Sequence, residues 1–194
     1  MAITVELESL TTKSRFVTPT YVDRNGTPSV ISSELPAPIV DVNHLRLHEG
    51  RAYYAYKLYP YASMLPAGAS VDIAMAFAAG VKAHLVYDAN CGGDAEVYLY
   101  ENAVVSGDTV FTAVRRNRTI ATTSQSAILI NPTVTNTGTL LDAQFIAGGA
   151  GKKAGGGNSF ATEQVFSPLT TYLFRLTNVN GTAHMAHLHI EWYE

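Results

Sequence analysis

Three histidines near the C-terminal end of the chain have the spacing that comes closest to a chemical site. They are His184, His187 and His189, in the stretch A-H-M-A-H-L-H-I-E. Imidazole nitrogens are common ligands of zinc and other transition metals. Because successive side chains of a strand point to opposite faces, His187 and His189 are predicted to share one face and His184 to lie on the other. A further ligand would have to come from elsewhere, and His84 and His48 are the candidates.

The His-x-His spacing is similar to the metal motif of cupins, in which a glutamate and a distant histidine follow. Glu191 stands two residues after His189 and shares its predicted face, but the glycine pattern of that motif is missing. We therefore predict that the histidines line a polar sheet face or a subunit contact. A cupin-like metalloprotein is the least favoured function, and we assign no metal ligand and no cofactor.

Other reactive side chains form no better site. Asp88 and Asp94 flank a Cys-Gly-Gly turn, where solvated carboxylates are common, and Ser124 and Ser126 lack the G-x-S-x-G elbow of serine hydrolases. Cys91 has no histidine in the same run and is predicted to be a buried structural thiol. No nucleophile, base and orienting group can be assembled from the spacing, so we expect no enzyme activity.

Composition limits the function classes. The 194 residues carry a net charge of −3 at pH 7 and only 15% charged side chains, which argues against a nucleic-acid-binding protein. The local basic cluster of Arg115, Arg116 and Arg118 is predicted to lie at a solvated strand end or to anchor an interface. With one cysteine, no signal-peptide pattern and no apolar run of membrane-spanning length, we expect no membrane association and assembly in a reducing cytoplasm.

Short alternating runs separated by turn residues predict an all-β fold. They cover residues 53–61, 70–78, 83–87, 95–101, 109–114, 127–130, 140–146 and 160–166, followed by a C-terminal pair of strands. The pair surrounds Asn180-Gly181, a strong signal for a hairpin with a type I′ turn. We predict an antiparallel β-sandwich, with a jelly roll as the expected topology. The glycine-rich residues 148–158 lack the P-loop spacing and are predicted to form a mobile loop between strands.

The N-terminal residues 1–45 differ from the remainder, residues 46–194, which form the predicted sandwich domain. Turn signals at residues 23–26 and three prolines, Pro28, Pro36 and Pro38, interrupt this segment. Proline lacks the N–H that a strand ladder needs and restricts the residue before it to extended conformations. We predict an extended arm with one or two short strands that lies on a larger assembly, or equally a tethered terminal loop.

Tyrosine is concentrated in residues 53–61, where alternation places Tyr53, Tyr59 and Tyr61 on one face and Tyr54 and Tyr56 on the other. Tyrosine combines apolar area with a polar tip, and it is enriched at protein interfaces and lines sugar-binding surfaces. The interface candidates are therefore Tyr53, Tyr54, Tyr56, Tyr59, Arg115, Arg116, Arg118, Pro36 and Pro38.

From about Leu47 onward, the order of several motifs resembles the capsid decoration, or cement, proteins of tailed phages. The motifs are G-G-D-A-E-V-Y-L-Y-E-N (92–102), R-R-N-R-T (115–119), N-P-T-V-T-N-T-G-T-L-L (131–141), T-T-Y-L-F-R-L-T-N (170–178) and the final I-E-W-Y-E. The resemblance implies a jelly-roll-like protein on the exterior of the virion, bound to the major capsid protein as a homo-oligomer, either a dimer or a trimer. It implies no catalysis. The alternative function is a phage tail, collar or receptor-binding component with a carbohydrate-binding jelly roll.

Overall fold

The computed structural model describes residues 20–22, 28–30, 42–107, 109–148, 156–159 and 163–194. The chain divides into two compact units, Met1–Asp41 and Val42–Glu194. In the first unit, β1 (Thr20–Val22) pairs antiparallel with β2 (Pro28–Val30). Most of the predicted arm, including Pro36 and Pro38, lies outside the described residues.

The second unit consists mainly of strands. It begins with a short helix, α1 (Val42–His48), and contains a 3₁₀ turn at Tyr61–Ser63. Its strands are β3 (Ala52–Tyr59), β4 (Ser70–Phe77), β5 (Ala83–Cys91), β6 (Ala95–Glu101), β7 (Val104–Ser106), β8 (Val114–Arg115), β9 (Ser126–Ile130), β10 (Thr133–Asn136), β11 (Thr139–Ile146), β12 (Gly156–Ser159), β13 (Gln164–Phe166), β14 (Thr171–Asn178) and β15 (Ala186–Tyr193). Among the described residues, no helix is long and apolar enough to cross a bilayer.

The strands of this unit form two main antiparallel sheets. The six-stranded sheet has the order β12-β5-β15-β3-β8, and β13 also pairs with β5. The five-stranded sheet has the order β11-β6-β14-β4-β9. β7 and β10 pair with each other in a separate two-stranded sheet. The predicted antiparallel β-sandwich is therefore confirmed.

Consecutive strands repeatedly change sheet. β3, β5 and β15 belong to the six-stranded sheet, whereas β4, β6 and β14 belong to the five-stranded sheet, so each of these connections crosses from one layer to the other. The order β3-β15-β5-β12 in one layer opposes β4-β14-β6-β11 in the other. This arrangement of crossing connections is consistent with the expected jelly roll.

The core lies between the two layers because each strand turns every second side chain inward. On β15 the buried positions are Ala186, Leu188, Ile190 and Trp192, and the residues between them face outward. On β6 the buried residues are Ala95, Val97 and Leu99, as the alternation of that run predicts. Cys91, at the end of β5, is a buried free thiol, which confirms its predicted placement.

The predicted C-terminal hairpin is wrong, because β14 and β15 lie in opposite sheets. Neither Asn180 nor Gly181 has the positive φ that a type I′ turn requires. The connection is instead held by Asn178, which is fully buried. Its Nδ2 donates to the backbone oxygens of Leu65 at 3.0 Å, of Pro66 at 3.1 Å and of Thr182 at 2.9 Å. These bonds tie the β14–β15 connection to the neighbouring β3–β4 connection.

Four smaller expectations also change. The expected arm boundary at residue 45 falls inside α1, so residues 42–45 are helical rather than extended. The predicted strand at 109–114 is reduced to an isolated bridge at Val110 and the short β8. The predicted loop at 148–158 ends in β12, whose glycines pair with β5, while residues 149–155 lie outside the described part. The short β7 and β10 were not predicted, because three or four residues are too few to show a period.

Candidate functional site

The outer face of the six-stranded sheet brings together the predicted tyrosines and two of the histidines. On this face, each outward-facing residue of β15 lies between one residue of β3 and one residue of β5, which gives three rows of side chains. In one row, His189 lies between Tyr56 and Asp88. We call this surface the Tyr–His face. It consists of Tyr54, Tyr56, Leu58, Asp88, Asn90, Phe111, Met185, His187 and His189.

Aromatic and aliphatic side chains make up the part of the Tyr–His face along β3. The rings of Tyr54 and Tyr56 stack with centroids 6.2 Å apart, and Phe111 meets Tyr56 edge-on at 6.0 Å. Tyr56 is 42% exposed, Leu58 is 50% exposed, and Met185, two residues before His187, is 51% exposed. Soluble proteins commonly expose single apolar residues, but several on one face indicate a contact surface.

Histidines and hydrogen-bonded polar groups make up the part of the face along β15 and β5. His189 Nδ1 lies 3.0 Å from Asp88 Oδ1, and Asn90 Nδ2 donates to Asp88 Oδ2 at 3.0 Å. The ring of His187 stacks on that of His189 at 5.6 Å and lies 6.1 Å from Tyr56. Burial lowers the pKa of His187, and the nearby Asp88 opposes this only partly. The lowered pKa favours a neutral His187 near pH 7.

An ion pair between Arg116 and Glu191 borders the face beside β8. Glu191 also lies 3.7 Å from His189 Nε2. The other two arginines of the basic cluster lie apart from this pair. Arg115 Nη1 donates to the backbone oxygen of Ile120 at 2.6 Å, and Arg118 lies in an exposed turn. The structure therefore places only Arg116 of the three at the edge of the Tyr–His face.

The structure does not gather the histidines into a metal centre. No group of three or more His, Cys, Asp or Glu side chains among the described residues is arranged to hold a metal ion. His84 Nδ1 bonds Glu163 Oε1 at 2.7 Å, and the Nε2 atoms of His48 and His44 lie 3.0 Å apart. His184 forms a bridge with Leu65 and packs against Gly93. His187 and His189 share a face as predicted, whereas the other four histidines make their contacts elsewhere.

Not all of the predicted interface tyrosines reach the surface. Tyr53 is 2% exposed and stacks on Trp192 at 5.9 Å in the core, so its ring cannot contact a partner. Tyr59 packs partly buried against the core, and its hydroxyl accepts from Asn131 Nδ2 at 2.9 Å. Tyr61 lies in the 3₁₀ turn beyond the end of β3 and not on the face of Tyr53.

Leu58, Met185 and Phe111 were missed as members of the site. The sequence pattern could have predicted two of them. Leu58 continues the alternation of Tyr54 and Tyr56, and Met185 continues that of His187 and His189. Phe111 belongs to an irregular segment, and its approach to Tyr56 depends on the path of the chain between β7 and β8. No local sequence pattern predicts the contact between Phe111 and Tyr56.

The outer face of the five-stranded sheet has a different character. Asp72 accepts two bonds of 2.7 Å from the guanidinium of Arg175, Ser70 and Thr177 hydroxyls bond at 2.8 Å, and the Tyr98 hydroxyl donates to Glu96 at 2.6 Å. That hydrogen bond raises the pKa of Tyr98. The small sheet of β7 and β10 packs over another part of this face, where Leu173 and Ala74 are buried. The edge strand β11 is more open, because Leu140 and Phe145, in register with Tyr100 and Glu96, are 51% and 58% exposed. Part of this face is therefore covered or internally paired, and its edge presents apolar side chains.

Comparisons of the chain with protein families, with curated proteins and with solved structures found no match. The functional argument therefore rests on the Tyr–His face and on the motifs of the sequence.

Proposed function

We propose that the chain is a structural protein of a tailed-phage virion. It binds the outside of the head as a homo-oligomer and stabilises the capsid by bridging subunits of the major capsid protein. The observation that carries the proposal is the exposure of Tyr56, Leu58 and Met185 on one side of the antiparallel sandwich. The resemblance of the motifs from Leu47 onward supports the identity of the partner.

The composition of the Tyr–His face suits a protein contact. Tyrosine, phenylalanine, methionine and arginine are enriched in protein interfaces, while lysine and glutamate are depleted there. The face has two tyrosines, Phe111 and Met185, and its bordering charges, Arg116 and Glu191, neutralise each other. A partner would therefore cover apolar rings together with the carboxylate of Asp88, which is already hydrogen-bonded to His189 and Asn90.

The contact need not be strong in a single copy. An interface of ordinary size buries roughly 800 Å² on each partner. When one protein binds adjacent subunits of a shell, each additional contact forms at a high effective concentration. A modest apolar face repeated over the capsid surface can thus oppose separation of the subunits without any chemical step.

The test uses phage heads purified without this protein and the purified protein added back. We expect the wild-type chain to sediment with the heads at a fixed ratio to the major capsid protein, and Leu58→Glu to lose this binding. Val104→Glu is the matched control, because Val104 has a similar exposure of 55% but lies on the small β7–β10 sheet. Equal binding of wild type and Leu58→Glu, or no binding of wild type, would refute the proposal.

A carbohydrate-binding role, as in a phage tail, collar or receptor-binding component, is the second candidate. The exposed ring of Tyr56 lies in the row of His189 and Asp88, and Asn90 is bonded to that carboxylate. A flat ring beside amide and carboxylate groups is suited to a sugar. Immunogold labelling at the tail or collar, with glycan binding that Tyr56→Ala abolishes, would favour this function over capsid binding.

A further inference from the structure

A cleft of about 610 Å³ opens in the second unit, away from the residues that define the Tyr–His face. Its walls come from α1, the start of β3, the β4–β5 turn, the segment before β9 and the end of β15. The side chains that matter for its chemistry are Arg46, Arg51, Lys82, Thr123, Tyr193 and Glu194. The volume lies within the roughly 300–1,000 Å³ of typical small-molecule sites.

Three permanent cations line this cleft against one carboxylate. Arg46 Nη1 bonds Glu49 at 3.1 Å, but its Nε is buried and has no hydrogen-bond partner among the described residues. Arg51 and Lys82 are exposed and form no ion pair within 4.0 Å in the described part of the chain. The lining therefore carries donors and positive charge that the described residues do not satisfy.

Glu194 is the acidic side chain in the lining, and its two carboxylate oxygens have different surroundings. Its Oε1 accepts from the backbone N–H of Gln125 at 2.9 Å, while Oε2 is buried without a hydrogen-bond partner among the described residues. Burial raises the pKa of Glu194, although Arg51 acts in the opposite direction. The Glu194 side chain therefore competes with an anionic ligand for the cations of the lining.

We propose that this cleft binds a small organic anion that carries a carboxylate and several hydroxyl groups. The carboxylate would bind Arg51 and Lys82, since guanidinium and ammonium groups make strong charge-assisted hydrogen bonds to carboxylates. The hydroxyl groups would meet Thr123 and Gln125, whose exposed side chains also line the cleft. Tyr193, which stacks on His84 at 4.8 Å, provides an aromatic wall. This site is independent of the proposed capsid contact.

Isothermal titration calorimetry with three probes separates the parts of this proposal. Glucuronate carries both a carboxylate and hydroxyl groups, glucose lacks the carboxylate, and acetate lacks the hydroxyl groups. We expect glucuronate to bind with a Kd of roughly 0.1–1 mM, and glucose and acetate to bind at least about tenfold more weakly. Saturable binding of none of them, or equal affinity for glucuronate and either of the others, would overturn the proposal.

Substitutions then place the binding in the cleft. Arg51→Gln and Lys82→Gln are each expected to weaken glucuronate binding about tenfold, the effect of losing one charge-assisted bond. Glu194→Gln should strengthen it, because a competing negative charge is removed while an acceptor for Gln125 is kept. Arg118→Gln removes a positive charge in an exposed turn outside the cleft and should leave the Kd unchanged. If Arg118→Gln weakens binding as much as Arg51→Gln, the attraction is general to the protein surface and the site is refuted.

Discussion

Replacing Asn178 by alanine tests the main difference between the sequence prediction and the structure. The side-chain amide of Asn178 serves three backbone oxygens, those of Leu65, Pro66 and Thr182, and its Oδ1 accepts from the N–H of Asn180 at 3.0 Å. If β14 and β15 formed a hairpin, Asn178 would be an ordinary strand residue and the Asn180-Gly181 pair would carry the turn. The two arrangements assign the stabilising role to different residues.

The cost of Asn178→Ala follows from the bonds that are lost and those that remain. Leu65 O keeps the bond from the N–H of His184, and Pro66 O keeps the bond from the N–H of Ala69. Those two carbonyls are therefore not left without a donor, and the cost is the net value of the lost bonds. The amide has two N–H donors, shared among the three oxygens, and Oδ1 accepts one further bond. At about 1 kcal/mol for each of these three bonds, the free energy of unfolding should fall by roughly 3 kcal/mol. In a domain of this size that is a drop in Tm of roughly 6–12 °C.

Urea unfolding followed by circular dichroism measures this change. Asn180→Ala is the matched control, and Gly181→Ala is a second, because Gly181 has no positive φ and a Cβ there would meet no atom within 4 Å. Both controls should lower the stability by less than about 1 kcal/mol. If either control lowers the free energy of unfolding more than Asn178→Ala does, the Asn180-Gly181 turn carries the stability, and our account of the connection is refuted.

Three further perturbations test other parts of the sandwich. Arg175→Leu leaves the buried Asp72 without its cation, and it should lower the free energy of unfolding in urea by about 3 kcal/mol. The double variant with Asp72→Asn should recover most of this loss. A loss below about 1 kcal/mol in the single variant would contradict the pairing. The pKa of His187 is lower in the folded protein than in the unfolded chain, so the unfolded chain binds more protons and stability should decrease as the pH falls below about 6.5. His187→Gln should reduce the slope of the free energy of unfolding against pH. An unchanged slope would contradict the assignment. Gly138→Ala should strongly reduce the yield of soluble, folded protein, because φ is +81° and the added Cβ would overlap the backbone oxygen of Glu101. Gly68→Ala has a similar φ of +70° but open space around the Cβ, and it should lower stability by only about 1–2 kcal/mol. Equal Tm values for the two variants would refute the steric argument.

Local alternation was enough to predict the layers of the sandwich. The run of β6 places Val97 and Leu99 inside and Tyr98 and Tyr100 outside, because the period of a strand is two and only one face meets the core. The same rule placed His187 and His189 together. These features depend on neighbours in sequence, which is why they can be predicted from one chain.

Contacts between distant residues could not be predicted in this way. The bond from Asn178 to Leu65 joins residues that are 113 positions apart, and it decides that Asn180-Gly181 connects two sheets rather than two paired strands. Tyr53 and Tyr54 are adjacent tyrosines of one strand, and only the position of the second sheet determines that Tyr53 is the buried one. The contact of Phe111, in an irregular segment, with Tyr56 likewise joins residues that are distant in sequence, so it could not be predicted from a local pattern.

The two outer faces of the sandwich start from similar sequence, since each has a pair of alternating tyrosines on one of its strands. They differ in how the polar groups are satisfied. On the five-stranded sheet, Tyr98 is bonded to Glu96 and Arg175 to Asp72, and the exposed apolar side chains Leu140 and Phe145 lie on its edge strand β11. On the six-stranded sheet, Tyr56 and Leu58 present apolar area that gains about 25 cal/mol per Å² when a partner removes it from water. The two faces therefore differ in where their apolar area lies. On the six-stranded sheet it lies on β3, which has a neighbouring strand on each side, whereas on the five-stranded sheet it lies on the edge strand β11.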